Sequence, residues 1–217
     1  MALNNYKNLL FDLGGVILDL KREDCVRAFE ALGMENAESV FGEYSQTGAF
    51  LALEEGTISV DEFHAEVKKM LPQGVSDAQI DEAFGRFLVG VPMARLKALE
   101  ELRKDYKVFL LSNTNPIHIN GRIAHYFGVD GKMIGDYFDG MVLSFEAKAA
   151  KPNAKIFEYT VSHLGINPNE TLFLDDSQKN LDAASQLGFG VVLVNPGEEF
   201  VDVLKRVIGL KTSMKWK

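Results

Sequence analysis

The chain has 217 residues, 47% of them hydrophobic and 25% charged, with a formal net charge of −8. That length allows one large domain, or one domain carrying a smaller inserted module, and the balance excludes a disordered chain. The acidic excess weighs against nucleic acid or an anionic membrane as a general partner; an anionic small substrate needs local cationic help, from a metal or a lysine.

The single cysteine, Cys25, cannot form an internal disulfide and reads as a small buried apolar residue. Met1 to Lys7 lacks a basic segment followed by an apolar run of signal length, and no run approaches the ~20 apolar residues of a membrane span. A cytoplasmic protein is expected.

In chain order, Leu9-Leu10-Phe11 is a short apolar run that stops at Asp12, with Gly14 and Gly15 just beyond, as a buried strand ending in a turn does. Lys21–Leu32 is a helix candidate. Ser59-x-x-Glu62 and Ser76-x-x-Gln79 are capping boxes. The first precedes Phe63, Val67 and Met70, and the second precedes Ile80, Ala83, Phe84 and Phe87. No strand is expected between the opening run and Pro92, so this stretch reads as a helical insertion. Met93–Lys104 predicts a helix with Leu96, Leu99 and Leu102 on one face. Val108–Leu111 then predicts a strand stopping at Ser112-Asn113, and Met141–Leu143 a weaker one stopping at Ser144. Ala154–Leu164 is helical in period. Thr171–Leu174 stops at Asp175-Asp176, Asn180–Leu187 follows as a helix, and Val191–Val194 stops at Asn195-Pro196-Gly197. Lys211–Lys217 lacks periodicity and reads as a frayed tail.

The strand runs do not alternate, which suits strands covered on both faces. Alternating with helices, they predict an α/β fold with a parallel sheet and right-handed crossovers. The ligand site of such a sheet lies beyond the carboxyl ends of its strands, where the polar stops fall. Asp12 is a candidate nucleophile there, since a carboxylate attacking phosphorus splits one hard displacement into two; its bland alternative is a turn Asp. Ser112 and Asn113 offer a hydroxyl and N–H groups to phosphate oxygens, or are ordinary helix caps. Lys151, with Lys148 as competitor, can neutralise phosphate and hold an attacking carboxylate ionised, or is a surface lysine. Asp175 and Asp176 repel each other and want a cation, or cap the next helix.

Taken together, Asp, Ser, Lys-Pro and Asp-Asp, in this order and each beside an apolar run, resemble the four motifs of the haloacid dehalogenase-like hydrolase superfamily. The resemblance implies a Rossmann-like parallel sheet in order 5-4-1-2-3. It implies a catalytic core of residues 1–19 and 92–217 with a helical cap of residues 20–91. It implies Mg²⁺ held by Asp12, the carbonyl of Gly14 and Asp176, with Asp175 acting through water. Asp12 and Lys151 are then the catalytic residues, and Ser112, Asn113 and Lys151 the phosphate-binding ones. Gly48, Phe50 and Glu54 are candidates to face the substrate from the cap.

Gly14 departs from the pattern, because the family carries at this position an Asp that protonates the leaving oxygen and later activates water. The sequence Phe-Asp-Leu-Gly-Gly-Val looks like the branch that includes sugar-1-phosphate phosphatases, which lack the same acid. The expectation is a Mg²⁺-dependent phosphatase of a small phosphorylated metabolite, a sugar phosphate or sugar-1-phosphate, acting through an aspartyl-phosphate on Asp12. The alternatives are a 2-haloacid dehalogenase and a catalytically weak binding member of the fold. The expected partner is the metabolite, without nucleic acid or membrane, in a monomer or homodimer. Asp19 is expected to cap the first cap helix, its alternative being to reach back toward the site from the cap hinge; Asn180 is expected to cap or brace the loop after Asp176, and His64, His118, His125 and His163 to be structural or solvated.

Overall fold

Residues alternate between two buried faces along the central strands. Leu9 and Phe11 of β1 (Asn8–Phe11) enter one apolar cluster, and Leu10 enters another. Likewise Val108 and Leu110 of β4 (Lys107–Ser112) face the first cluster, and Phe109 and Leu111 face the second. Both faces are apolar, so the runs carry no polar alternation. The computed structural model that establishes this describes residues 6–41 and 47–210; the tail at 211–217 lies outside them.

The main sheet has five strands in the order β5-β4-β1-β6-β7, all neighbours parallel, with β5 at Gly140–Leu143, β6 at Thr171–Asp175 and β7 at Gly190–Leu193. Counting only these strands and reading from the β7 edge, this is the expected 5-4-1-2-3.

Between β1 and β4 the chain leaves the sheet and returns. Among the described residues, five helices lie in that excursion before Pro92: α1 (Arg22–Ala31), α2 (Ala37–Val40), α3 (Gly48–Glu54), α4 (Val60–Lys68) and α5 (Asp77–Gly85). They share an apolar cluster of their own, built around Phe29, Phe41, Phe50, Phe63 and Phe84. Both capping boxes form, with Ser59 and Glu62 opening α4 and Ser76 and Gln79 opening α5. Cys25 is buried within this cluster, and burial pushes its thiol up to about 12.

One expectation fails here. A two-stranded antiparallel ribbon, β2 (Asp19–Leu20) with β3 (Leu88–Gly90), joins the two crossings of the chain into and out of the helical segment. Strands this short carry too few side chains to leave a period in the sequence.

Helices α6 (Met93–Leu102) and α12 (Phe200–Ile208), with the short α7 (Pro116–His118) and α8 (Ala124–Phe127), lie in chain order around β4 and beyond. Leu96, Leu99, Phe127, Phe200 and Leu204 supply the first cluster. After the short α9 (Ser144–Ala147), α10 (Ala154–Leu164) and α11 (Gln178–Gln186) cover the other face through Ile156, Phe157, Leu181 and Ala184. The result is a helix–sheet–helix sandwich with all polar strand stops at one edge. Among the described residues no helix is long and apolar enough to cross a membrane.

Candidate active site

Asp12 follows β1 directly, and its N–H donates to the Leu174 carbonyl at 2.8 Å, which fixes it beside the end of β6. The chain then turns back on itself, with Gly15 N–H donating to Leu18 O at 2.9 Å and Leu18 N–H to Leu13 O at 2.8 Å. Gly15 adopts φ +72°, a backbone conformation costly for other residues. A Cβ there would lie 2.1 Å from Asp176 Oδ2. The absence of a side chain at Gly15 is what lets the carboxylate from β6 approach the turn from β1.

Carboxylate oxygens of Asp12, Asp175 and Asp176 lie within 4.8 Å of one another. Burial, followed by the charges of its acidic neighbours, pushes Asp12 up to about 7 against the opposing pull of Lys151. Burial and the Asp175 charge push Asp176 up to about 6. Such a trio of hard oxygen donors suits a divalent cation of the magnesium kind.

Lys151 is buried, with Nζ 2.7 Å from Asp12 Oδ1 and 2.7 Å from Asp175 Oδ2. Burial alone would lower its pKa; the two carboxylates outweigh it and hold the ammonium above its usual range. A cis peptide joins Lys151 to Pro152. The competitor Lys148 is elsewhere, its ammonium donating to the Gly56 carbonyl.

Asp175 is fully buried, and its oxygens also accept from Ser177 N–H at 2.8 Å and from Asn180 Nδ2 at 3.0 and 3.2 Å. Asn180 therefore braces the acidic pair, as expected of it. Ser112 ends β4 and is buried. The Asn113 amide is engaged with the Lys151 peptide, donating to its carbonyl at 2.9 Å and accepting from its N–H at 2.8 Å. The backbone N–H of Asn113, rather than its side chain, is the part that can serve a ligand.

Gly14 and Glu54 line one cavity of about 60 Å³, with Ser112, Asn113, Thr114 and His118 and an apolar wall of Leu18, Leu20, Phe87 and Leu88. A Cβ on Gly14 would meet Leu20 Cδ1 at 2.7 Å, so Leu20 fills the space that an acid at this position would take. Burial, with Glu55 nearby, pushes Glu54 up to about 8.

Two of the three cap candidates are corrected. Phe50 is wholly buried in the cap cluster, its ring 4.7 to 5.5 Å from those of Phe29, Phe41, Phe63 and Phe84. An aromatic side chain gains more in that cluster than beside carboxylates. Gly48 is exposed at the start of α3 and does not line the cavity. Asp19 is corrected as well: Lys21 is the N-cap of α1, and Asp19 instead pairs with Arg95 Nη1 at 2.7 Å. Arg95, which no local pattern marks, also holds Glu199 through two 2.9 Å bonds and Ile17 O at 3.1 Å, tying the ribbon to α12.

His64 meets Asp81 at 2.7 Å on the helical insertion, and His125 and His163 are exposed. His118 is buried against the Phe84 carbonyl at 3.2 Å, and burial lowers it to about 4. Ser144 was visible only as a strand stop. Its hydroxyl lies 2.6 Å from the Glu54 carbonyl and accepts from Thr114 N–H at 3.0 Å.

A family model for haloacid dehalogenase-like hydrolases matches residues 6–188. The chain is 37% identical over 183 residues to the D-ribitol-5-phosphate phosphatase of Bacteroides thetaiotaomicron, covering 84% of this chain and 89% of that protein. A crystal structure of a wild-type haloacid dehalogenase-family enzyme from Bacteroides thetaiotaomicron, in complex with magnesium and inorganic phosphate, matches with a TM-score of 0.85 at 40% identity, over 91% of this chain and 98% of that one. A related hydrolase structure from Porphyromonas gingivalis matches with a TM-score of 0.87 at 32% identity, over 95% and 100% of the two chains. With its motif residues gathered at one sheet edge and these relatives matched along nearly their whole lengths, the chain belongs to the haloacid dehalogenase-like hydrolase family.

Proposed function

We propose that the chain is a Mg²⁺-dependent phosphatase of a small sugar or sugar-alcohol phosphate, acting through an aspartyl-phosphate on Asp12. The observation that carries this reading is the meeting of Asp12, Asp175 and Asp176 within 4.8 Å, with Lys151 against the first two. Residues 1–19 and 92–217 form the catalytic core in this reading, and residues 20–91 the cap over it.

Asp12 and Asp176 hold the metal with the Gly14 carbonyl. Asp175, its oxygens already engaged by Lys151, Ser177 and Asn180, acts from behind through water. Bound there, Mg²⁺ supplies charge neutralisation to the phosphoryl oxygens. Lys151 favours the ionised form of Asp12 against its burial and offers a second positive charge to the transferring group. Ser112 and the Asn113 backbone donate to the remaining oxygens. Asp12 then attacks phosphorus, and water hydrolyses the acyl-phosphate.

The relative's substrate is a primary alkyl phosphate by its printed name, which favours a polyol phosphate. A sugar-1-phosphate has the better leaving oxygen and suits Gly14 without further help. The carboxylate trio weighs against a haloacid dehalogenase, because displacing halide from carbon needs no metal. A panel of D-ribitol 5-phosphate, glycerol 3-phosphate, glucose 1-phosphate and 4-nitrophenyl phosphate, assayed with Mg²⁺ and again with chelator, tests the proposal. Turnover that chelator abolishes and Asp12→Asn eliminates is the expected result. Chloride release from a haloacid with chelator present would overturn it.

A further inference from the structure

The alkoxide of an alkyl phosphate leaves poorly unless its oxygen is protonated, and Gly14 has no proton to give. Glu54 ends α3 in the helical insertion, and it lines the same cavity as Gly14 and Ser112. It is 9% exposed, and among the described residues its carboxyl group has neither a hydrogen-bond nor an ion-pair partner. Every other acid in the site is engaged by a lysine or gathered in the carboxylate trio. An unpartnered buried carboxyl is a cost to folding, which makes its retention on the cavity of Gly14 and Ser112 a chemical matter.

The backbone of Glu54 is also anchored. Ser144, the first residue of α9, donates its hydroxyl to the Glu54 carbonyl at 2.6 Å and accepts from Thr114 N–H at 3.0 Å. One hydroxyl thereby fixes the end of α3 to the loop that carries Ser112 and Asn113. The apolar wall of Leu18, Leu20, Phe87 and Leu88 surrounds the cavity and favours the protonated carboxyl over the carboxylate.

Resting on the phosphatase reading, we propose that Glu54 is the general acid and base of the reaction, supplied from the helical insertion in place of the side chain that Gly14 lacks. In the first half an Asp12 oxygen bonds to phosphorus and the ester P–O bond breaks. Its electron pair stays on the leaving oxygen, which takes the Glu54 proton. In the second half water bonds to phosphorus, the bond to Asp12 breaks, and its electron pair returns to the Asp12 carboxylate. The water proton passes to Glu54, which is thereby reset.

Glu54→Gln keeps the shape and hydrogen-bonding capacity but has no proton to transfer. The full chain with Mg²⁺ is assayed on the fastest alkyl phosphate of the panel above and on 4-nitrophenyl phosphate. For the alkyl phosphate, kcat is expected to fall by about 10²–10⁴-fold with KM little changed. For 4-nitrophenyl phosphate, whose leaving group needs no proton, a burst of nitrophenolate equal to the enzyme is expected, followed by slow turnover on an unactivated water. A raised KM with kcat intact marks a substrate-binding role and overturns the proposal, as does unchanged activity. Glu54→Ala is read in the same way if the Gln variant does not fold. A wild-type chain that turns over no phosphate defeats both readings, whereas an active wild type with an unaffected Glu54→Gln defeats this one alone.

Discussion

The side chain of Asn113 grips the peptide of Lys151 from both sides, through bonds of 2.9 and 2.8 Å, while the ammonium of that lysine sits 2.7 Å from both Asp12 and Asp175. The loop after β4 thus sets the place of a cation that arrives much later in the chain. Asn113→Ala removes two hydrogen bonds at about 1 kcal/mol each and leaves a partly buried peptide short of partners. A loss of about 2–3 kcal/mol in urea unfolding, together with a lower kcat, is the expected outcome. Unchanged stability would mean that the lysine loop is held by other contacts.

Crowded carboxylates predict a thermal response to Mg²⁺. A cation bound only by the folded chain adds about 2.7 kcal/mol at one hundred times its Kd. For a chain of this length that is a rise in Tm of roughly 5–10 °C. Asp176→Asn is expected to abolish the rise. Without Mg²⁺ the same variant is expected to melt above wild type, because it removes a half-buried carboxylate and its repulsion, which after burial itself help push Asp12 and Asp176 up to about 7 and about 6. Differential scanning fluorimetry with and without chelator measures both.

The glycine pair after Asp12 separates two effects. Gly15→Ala places a methyl where Asp176 Oδ2 already stands, at φ +72°. It is expected to cost about 1–3 kcal/mol and to weaken the Mg²⁺ response, since Asp176 must move. Gly14→Ala meets only the end of the Leu20 side chain and is expected to keep that response. Equal Mg²⁺ titrations for the two variants would count against the close approach of Asp176 to the turn.

Stability should depend on pH through Glu54. Its carboxyl titrates near 4.5 when unfolded and about 8 when folded, raised by burial. Between those values the unfolded chain binds fewer protons than the folded one, so this group lowers stability as pH rises. Glu54→Gln is therefore expected to match wild type in Tm near pH 4.5 and to exceed it increasingly toward pH 8. A gap that does not change with pH would show that the carboxyl is not held neutral.

Most of the core was legible because each motif residue except Lys151 ends an apolar run. Asp12, Ser112 and the Asp175-Asp176 pair sit at the ends of β1, β4 and β6, and strands buried on both faces announce themselves without needing a period. The ribbon of β2 and β3 did not, being two and three residues long. In α3, Phe50 and Glu54 lie about one turn apart on one stripe, so sequence spacing could not separate them. The inner turn enters the phenylalanine cluster, and the outer one meets the cavity. Asp19 misled because its partner, Arg95, is 76 residues away. The Asn113–Lys151 grip and the Ser144 anchor likewise join segments 38 and 90 residues apart, which no local pattern encodes.

Leu20 ties position 14 to the entry of the helical insertion. Its Cδ1 stands 2.7 Å from where a side chain there would begin, and it belongs to β2, the strand through which the chain enters the helical insertion. Reinstating an aspartate at 14 alone pits a carboxylate against an isobutyl group in an apolar recess. The end of the Leu20 side chain must move or shrink to admit it, so Gly14→Asp and Leu20→Ala form a coupled pair whose joint effect is not the sum of its parts. If Glu54 is the proton donor, an enzyme rebuilt in this way would carry two donors on one cavity, and Glu54 would then be free to change.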